Sequence, residues 1–158
     1  MRATATAIGG SSISRFALLA AVATALCGCG GESGLSADEL AQRANAICAR
    51  YQPLYRTITR AHTGAAIVRY LDRTRPASLR EERELRALRP RRSEASKVQR
   101  LLDHVRAADR TLVQLRNAWV THDYATGVNI GRRLKGQIRR TTKEARALGW
   151  TVCASDPR

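Results

Sequence analysis

The chain has 158 residues, with 28 Lys or Arg against 13 Asp or Glu and a formal charge of +15. Arg supplies 25 of those cations, and aromatic residues are only 4% of the chain. This is one domain's worth of material. It excludes a large multidomain enzyme, a polytopic membrane protein, a collagen-like chain and a disulfide-dense mini-protein.

Met1–Arg15 is a Ser/Thr/Ala/Gly-rich leader with Arg2, Arg15 and no acid, and Phe16–Leu26 is an unbroken apolar run. Eleven residues are too few to span a bilayer, which takes about 20. A charged start, a short apolar core and small residues after it are the layout of a secretory signal. At its end, Leu26-Cys27-Gly28-Cys29 resembles the bacterial lipobox: an aliphatic residue, a small one, Gly or Ala, then Cys. The usual Ala, Ser or Thr is here Cys27. The resemblance implies that residues 1–28 are a lipoprotein signal peptide and that Cys29 becomes the lipidated first residue. Residues 29–35, rich in Gly, then form a flexible tether, and 36–158 form the domain. The alternatives are a buried N-terminal helix with both Cys as packing residues, and half of a Cys-x-Cys metal site. The second lacks a downstream His/Cys cluster to complete it.

Cleavage sheds only Arg2 and Arg15 among the cations, so the remainder stays strongly basic. Leu, Ile, Val and Phe make up about a fifth of residues 29–158, the edge of the disordered class. With Cys27 removed and Cys29 acylated, Cys48 and Cys153 remain. Outside the cytoplasm such a pair reads as one disulfide, and two separately buried thiols are the alternative.

Ser36-Ala37-Asp38-Glu39 is a capping box. Leu40, Ala44, Ile47, Tyr51, Leu54 and Ile58 then step by three and four, the seam of an amphipathic helix over about 36–62, with Pro53 expected to kink or restart it. The segment 64–89 holds Ile67, Leu71, Leu79, Leu85 and Leu88, but Pro76 interrupts it, which predicts a shorter or broken second helix. Pro90 and Ser93 supply a stop and a cap before the clearest periodicity, over 93–121. There Val98, Leu101, Val105, Ala108, Leu112, Leu115 and Trp119 keep 3-4 spacing. The pattern resumes over 124–148, and Gly149 ends it as a C′ residue with Trp150 folding back. No stretch alternates with period two. The expected fold is therefore all-α, an antiparallel up-down bundle of about four helices. In it the first and last helices are neighbours, and Cys48 and Cys153 can meet.

Ala44-Asn45-Ala46-Ile47-Cys48-Ala49, with Ala145-Arg146-Ala147-Leu148-Gly149 and then Cys153, is similar to small actinobacterial helical-bundle lipoproteins. That resemblance implies architecture and a surface location without an activity.

Neither a nucleophile motif nor a metal motif stands out. His62, His104 and His122 are scattered, and no Glu-x-x-His pair of the di-iron type occurs. Glu81, Glu82 and Glu84, set among Arg80, Arg83 and Arg86, read as a solvated ion-pair network. Gly127 and Gly131 read as tight packing at the start of the last helix. No catalytic residue, metal or cofactor is expected. Arg132, Lys135, Arg139, Lys143 and Arg146 form a basic stripe on the last helix. It reads either as a solvated face or as a contact for polyanions such as lipid headgroups and acidic envelope polymers. The leading expectation is a non-enzymatic, lipid-anchored, extracytoplasmic bundle that makes such contacts or binds a protein partner. One alternative is a small-ligand or metal-binding bundle with a pocket at His104, Tyr51 or Trp119. The other is a basic nucleic-acid binder, which the shortage of aromatics disfavours.

Overall fold

A computed structural model describes residues 33–56 and 63–155. Four helices follow in chain order: α1 (Ala37–Tyr55), α2 (Gly64–Ala87), α3 (Arg92–Val120) and α4 (Tyr124–Ala147). The described residues form no strand; one isolated bridge pairs Leu35 with Pro90. It is made by Leu35 N–H to Arg89 O (2.7 Å) and Arg91 N–H to Leu35 O (3.0 Å).

Each helix starts and stops for a readable reason. Ser36 caps α1 through the complete box: its hydroxyl accepts from Glu39 N–H, and the Glu39 carboxylate accepts from Ser36 N–H at 2.9 Å. This bonding holds the Glu39 carboxyl below the usual carboxylate range. Thr63 caps α2 and Asp123 caps α4, each accepting from an early backbone amide. Helix α3 has Arg91 at its N-cap with no side-chain cap bond, so Ser93, expected as the cap, lies inside the helix. Gly149 follows α4 at φ +74°, the left-handed conformation that Gly adopts without strain.

Two expectations about proline need correction. Pro53 does not restart α1, because the helix runs through it and ends at Tyr55; residues 57–62 of the expected 36–62 helix lie outside the described residues. Pro76 does not break α2, which is continuous over 24 residues. Its ring sits on an exposed face, while Leu71 and Thr74 before it and Ala77 and Leu85 after it are all buried. Burial of one face along the whole length outweighs the single lost hydrogen bond.

Side-chain bonds between successive helices fix the antiparallel order. Tyr55 pairs with Glu81 and Tyr51 with Glu84 across α1–α2. Asp72 pairs with Arg116 and Arg86 with Asp103 across α2–α3. Across α3–α4, His104 meets Glu144 at 2.7 Å. In every case the earlier partner on one helix meets the later one on the next. The helix interfaces run α1–α2, α2–α3 and α3–α4. Helices α1 and α4 are bridged instead by the turn after α4. Asn45 donates to Gly149 O (3.0 Å) and accepts from Val152 N–H (2.9 Å), and Cys48 is disulfide-bonded to Cys153.

The main core lies at this end: Leu40, Ala44, Ile47, Leu85, Val98, Leu101, Leu102 and Ala145 pack around Trp150, which is 1% exposed. Trp150, expected to fold back on the last turn of α4, is buried in the same cluster as Ala145 of that turn.

Candidate functional site

Because the C-terminal turn props α1 and α4 apart, a groove opens above it, between α4 on one side and α1 with α2 on the other. Its volume is about 850 Å³. Leu85, Leu101, Leu102, Val105 and Leu134 form an aliphatic floor, and Trp150 with the Cys48–Cys153 bond closes one end. Ile138 sits on the α4 lip at 50% exposure.

The two lips differ in charge. The α1–α2 lip presents Gln52, Tyr55, Ser78 and Glu81. Tyr55 Oη donates to Glu81 Oε2 at 2.6 Å. Burial pushes the Glu81 carboxyl above its ordinary value, against the lowering effect of that hydrogen bond and with help from the like charge of Glu84. Burial, then the same bond, raises the Tyr55 phenol. Glu82, also on the groove, is buried and engaged by Arg86 (2.8 Å) and Arg106 (3.8 Å). The three adjacent glutamates are thus not the solvated network expected from sequence. Glu81 and Glu82 turn into the bundle, and Glu84 reaches α1, meeting Arg50 and the Tyr51 hydroxyl (2.5 Å). The signal was present in the spacing, since positions 78, 81, 82 and 85 share one face of α2.

The α4 lip is basic. Lys135, Arg139, Lys143 and Arg146 all border the groove, so four of the five stripe residues named from sequence gather on it. Arg146 is steadied by donating to Ala154 O at 3.3 Å. Arg132, the fifth, is exposed and donates to Asn129 Oδ1 at 3.4 Å. Helix α4 contains one acid, Glu144, and it turns to His104. Among the described residues, no ion pair involves a cation of the stripe, whereas Arg75, Arg86, Arg106 and Arg116 on α2 and α3 all have carboxylate partners.

The small-ligand alternative expects a pocket at His104, Tyr51 or Trp119. A pocket exists, but none of the three lines it. His104 is held by Glu144 and Tyr51 by Glu84. Trp119 lies near the far end of α3, packed against Tyr124 with ring centroids 5.3 Å apart and the planes tilted by 54°. The groove was missed because it follows from α1 and α4 being splayed, a tertiary effect without a periodic signature. Of the two glycines read as tight packing, Gly127 lies under Trp119, while Gly131 has open space where a Cβ would sit and borders the groove.

Cys29, residues 1–28 and His62 lie outside the described residues. Among those described, no group of three His, Cys, Asp or Glu could hold a metal ion, and no helix is long and apolar enough to cross a membrane. Comparison with known proteins finds no matching family model, curated relative or solved structure.

Proposed function

We propose that the chain is a non-enzymatic, lipid-anchored, extracytoplasmic helical bundle that acts by contact with anionic partners at a membrane surface. Residues 1–28 export it, Cys29 carries the lipid, and of the expected tether 29–35 the part before Leu35 links it to the bundle, since Leu35 itself is hydrogen-bonded to Arg89 and Arg91. The observation that carries this reading is the Cys48–Cys153 bond. Disulfides persist in oxidising compartments and are rare where glutathione keeps thiols reduced. The Leu26-Cys27-Gly28-Cys29 tetrad after a short apolar run supplies the means of export and anchoring. The unpaired cations of α4 supply the contact, to lipid headgroups or acidic envelope polymers, and such attraction weakens with salt over a Debye length of about 8 Å.

Intact-mass analysis of the chain expressed in a bacterium with lipoprotein processing tests this. The expected mass is that of residues 29–158 plus acyl groups, with one disulfide. A chain retaining Met1, or cleaved elsewhere without acylation, would remove the anchor from the proposal.

A further inference from the structure

We propose that the groove between α4 and the α1–α2 pair binds a single-chain anionic amphiphile, with its alkyl chain on the aliphatic floor and its acid group on the α4 lip. The inference is independent of whether Cys29 is acylated.

Three observations converge on it. The volume of about 850 Å³ lies within the range of about 300–1,000 Å³ typical of small-molecule sites, which are mostly apolar with a few placed polar groups. The groove is long: its α4 wall runs from Gly131 to Arg146, about 22 Å at 1.5 Å per residue. An elongated apolar body fits it better than a compact one. Its floor offers no hydrogen-bonding side chain among Leu85, Leu101, Leu102, Val105 and Leu134. An extended peptide laid there would leave backbone groups unpaired, whereas an alkyl chain has none to satisfy.

The charge on the lips selects the head group. Lys135, Arg139 and Lys143 are spaced i, i+4, i+8 on one face of α4 and have no ion-pair partner among the described residues. Across the groove, Glu82 is neutralised by Arg86 and Arg106, and Glu81 is occupied by Tyr55, leaving four cations on the α4 lip to dominate. The groove therefore carries net positive potential over an apolar bed, which favours a carboxylate or phosphate head over a neutral or cationic one.

The test uses the full chain with its disulfide intact, in buffer without membranes, and photoactivatable diazirine analogues of palmitate and of hexadecanol below their micellar concentrations. After irradiation, labelled peptides are mapped by mass spectrometry. Palmitate is expected to label the stretches around Leu101–Val105 and Leu134–Arg146 at about ten times the yield of the alcohol, the ratio that one charge-assisted contact supports. Lys135→Glu with Arg139→Glu is expected to cut that yield about tenfold while leaving the melting temperature within a few degrees, since both side chains are exposed. Ile138→Asp, which puts a carboxylate on the lip, is expected to lower it as well. Equal labelling by acid and alcohol, labelling spread outside these stretches, or crosslinks to a second copy through the groove would each overturn the proposal.

Discussion

The two ends of the bundle are each closed by one of the chain's two tryptophans, and they do it in opposite ways. At one end, Trp150 is sealed into the core and pinned by a covalent bond between segments 105 residues apart. At the other, about 26 Å further along α3, Trp119 stays partly exposed and rests where side chains are missing. It lies over Gly64 at the start of α2 and over Gly127 in α4. A chain with a single Phe, located at position 16, and few large aliphatics has little else to fill the gaps. One end is held by adding a bond; the other is made possible by removing Cβ atoms. The groove opens beside the covalent end, where the bundle tolerates a gap because the bond holds α1 to the C-terminal turn regardless.

Breaking the covalent end should have the largest effect. Reduction, or Cys48→Ser, frees a loop of 105 residues, for which chain-entropy arithmetic gives about 4.7 kcal/mol. Against a typical domain stability of about 5–15 kcal/mol this is a large share. The variant is expected to unfold at much lower urea, read by circular dichroism, with Trp150 fluorescence moving to the solvent-exposed value. A loss below about 1 kcal/mol would mean that packing at Trp150, rather than the bond, holds that end.

The opposite end should respond less and in a sign-specific way. A Cβ on Gly64 would lie 2.5 Å from Trp119 Cε3, so the ring must move. Gly64→Ala is expected to cost about 1–3 kcal/mol, the usual effect of overpacking. Gly136, on α4, has nothing within 4 Å of the same position. There Gly→Ala should instead stabilise by about 0.5–1 kcal/mol through helix propensity alone. Paired urea melts of the two variants check the comparison. If both stabilise, Trp119 does not depend on the missing Cβ.

These two ends also mark how far the sequence could be read. Ser36–Glu39, Gly149 and the 3-4 spacing of α3 are local signals, and they located the capping box, the C′ turn and a continuous helix. Cys48 and Cys153 became a pair by elimination among four cysteines, and the antiparallel order then allowed them to meet. What failed were judgements in which a local rule competes with packing. Pro76 predicts a shorter or broken helix, but α2 has buried positions on both sides of it. The Glu81–Glu84 run was read as solvated, but the neighbouring helices supply Tyr55, Arg106 and Arg50 as partners. Of the candidate site, the basic stripe was visible as a helical repeat. The apolar floor beside it was not, because it is built from three helices at once.

Between the two ends, Glu81 gives the smallest effect, and that effect depends on acidity. Burial raises its carboxyl above the ordinary value of 4.5, so the folded chain keeps that proton at acidities where the unfolded chain has lost it. The folded state then binds more protons than the unfolded one, and stability must fall as pH rises through this window. The contribution is full below the ordinary Glu value and lost once pH passes the raised one. Glu39, Asp72 and Asp123 have the opposite sign. Hydrogen bonds from Ser36, Arg116 and Thr126 lower their carboxyls, so their contributions are lost only as pH falls below the ordinary carboxylate range. Comparing the wild type with Glu81→Gln isolates the first sign, because the amide oxygen can still accept from Tyr55 but does not titrate. The expected outcome is that the variant's urea midpoint exceeds the wild type's by a margin that grows from pH 4 to pH 7. A margin that shrinks over the same range would mean that the Tyr55 bond stabilises the ionised carboxylate more than burial disfavours it.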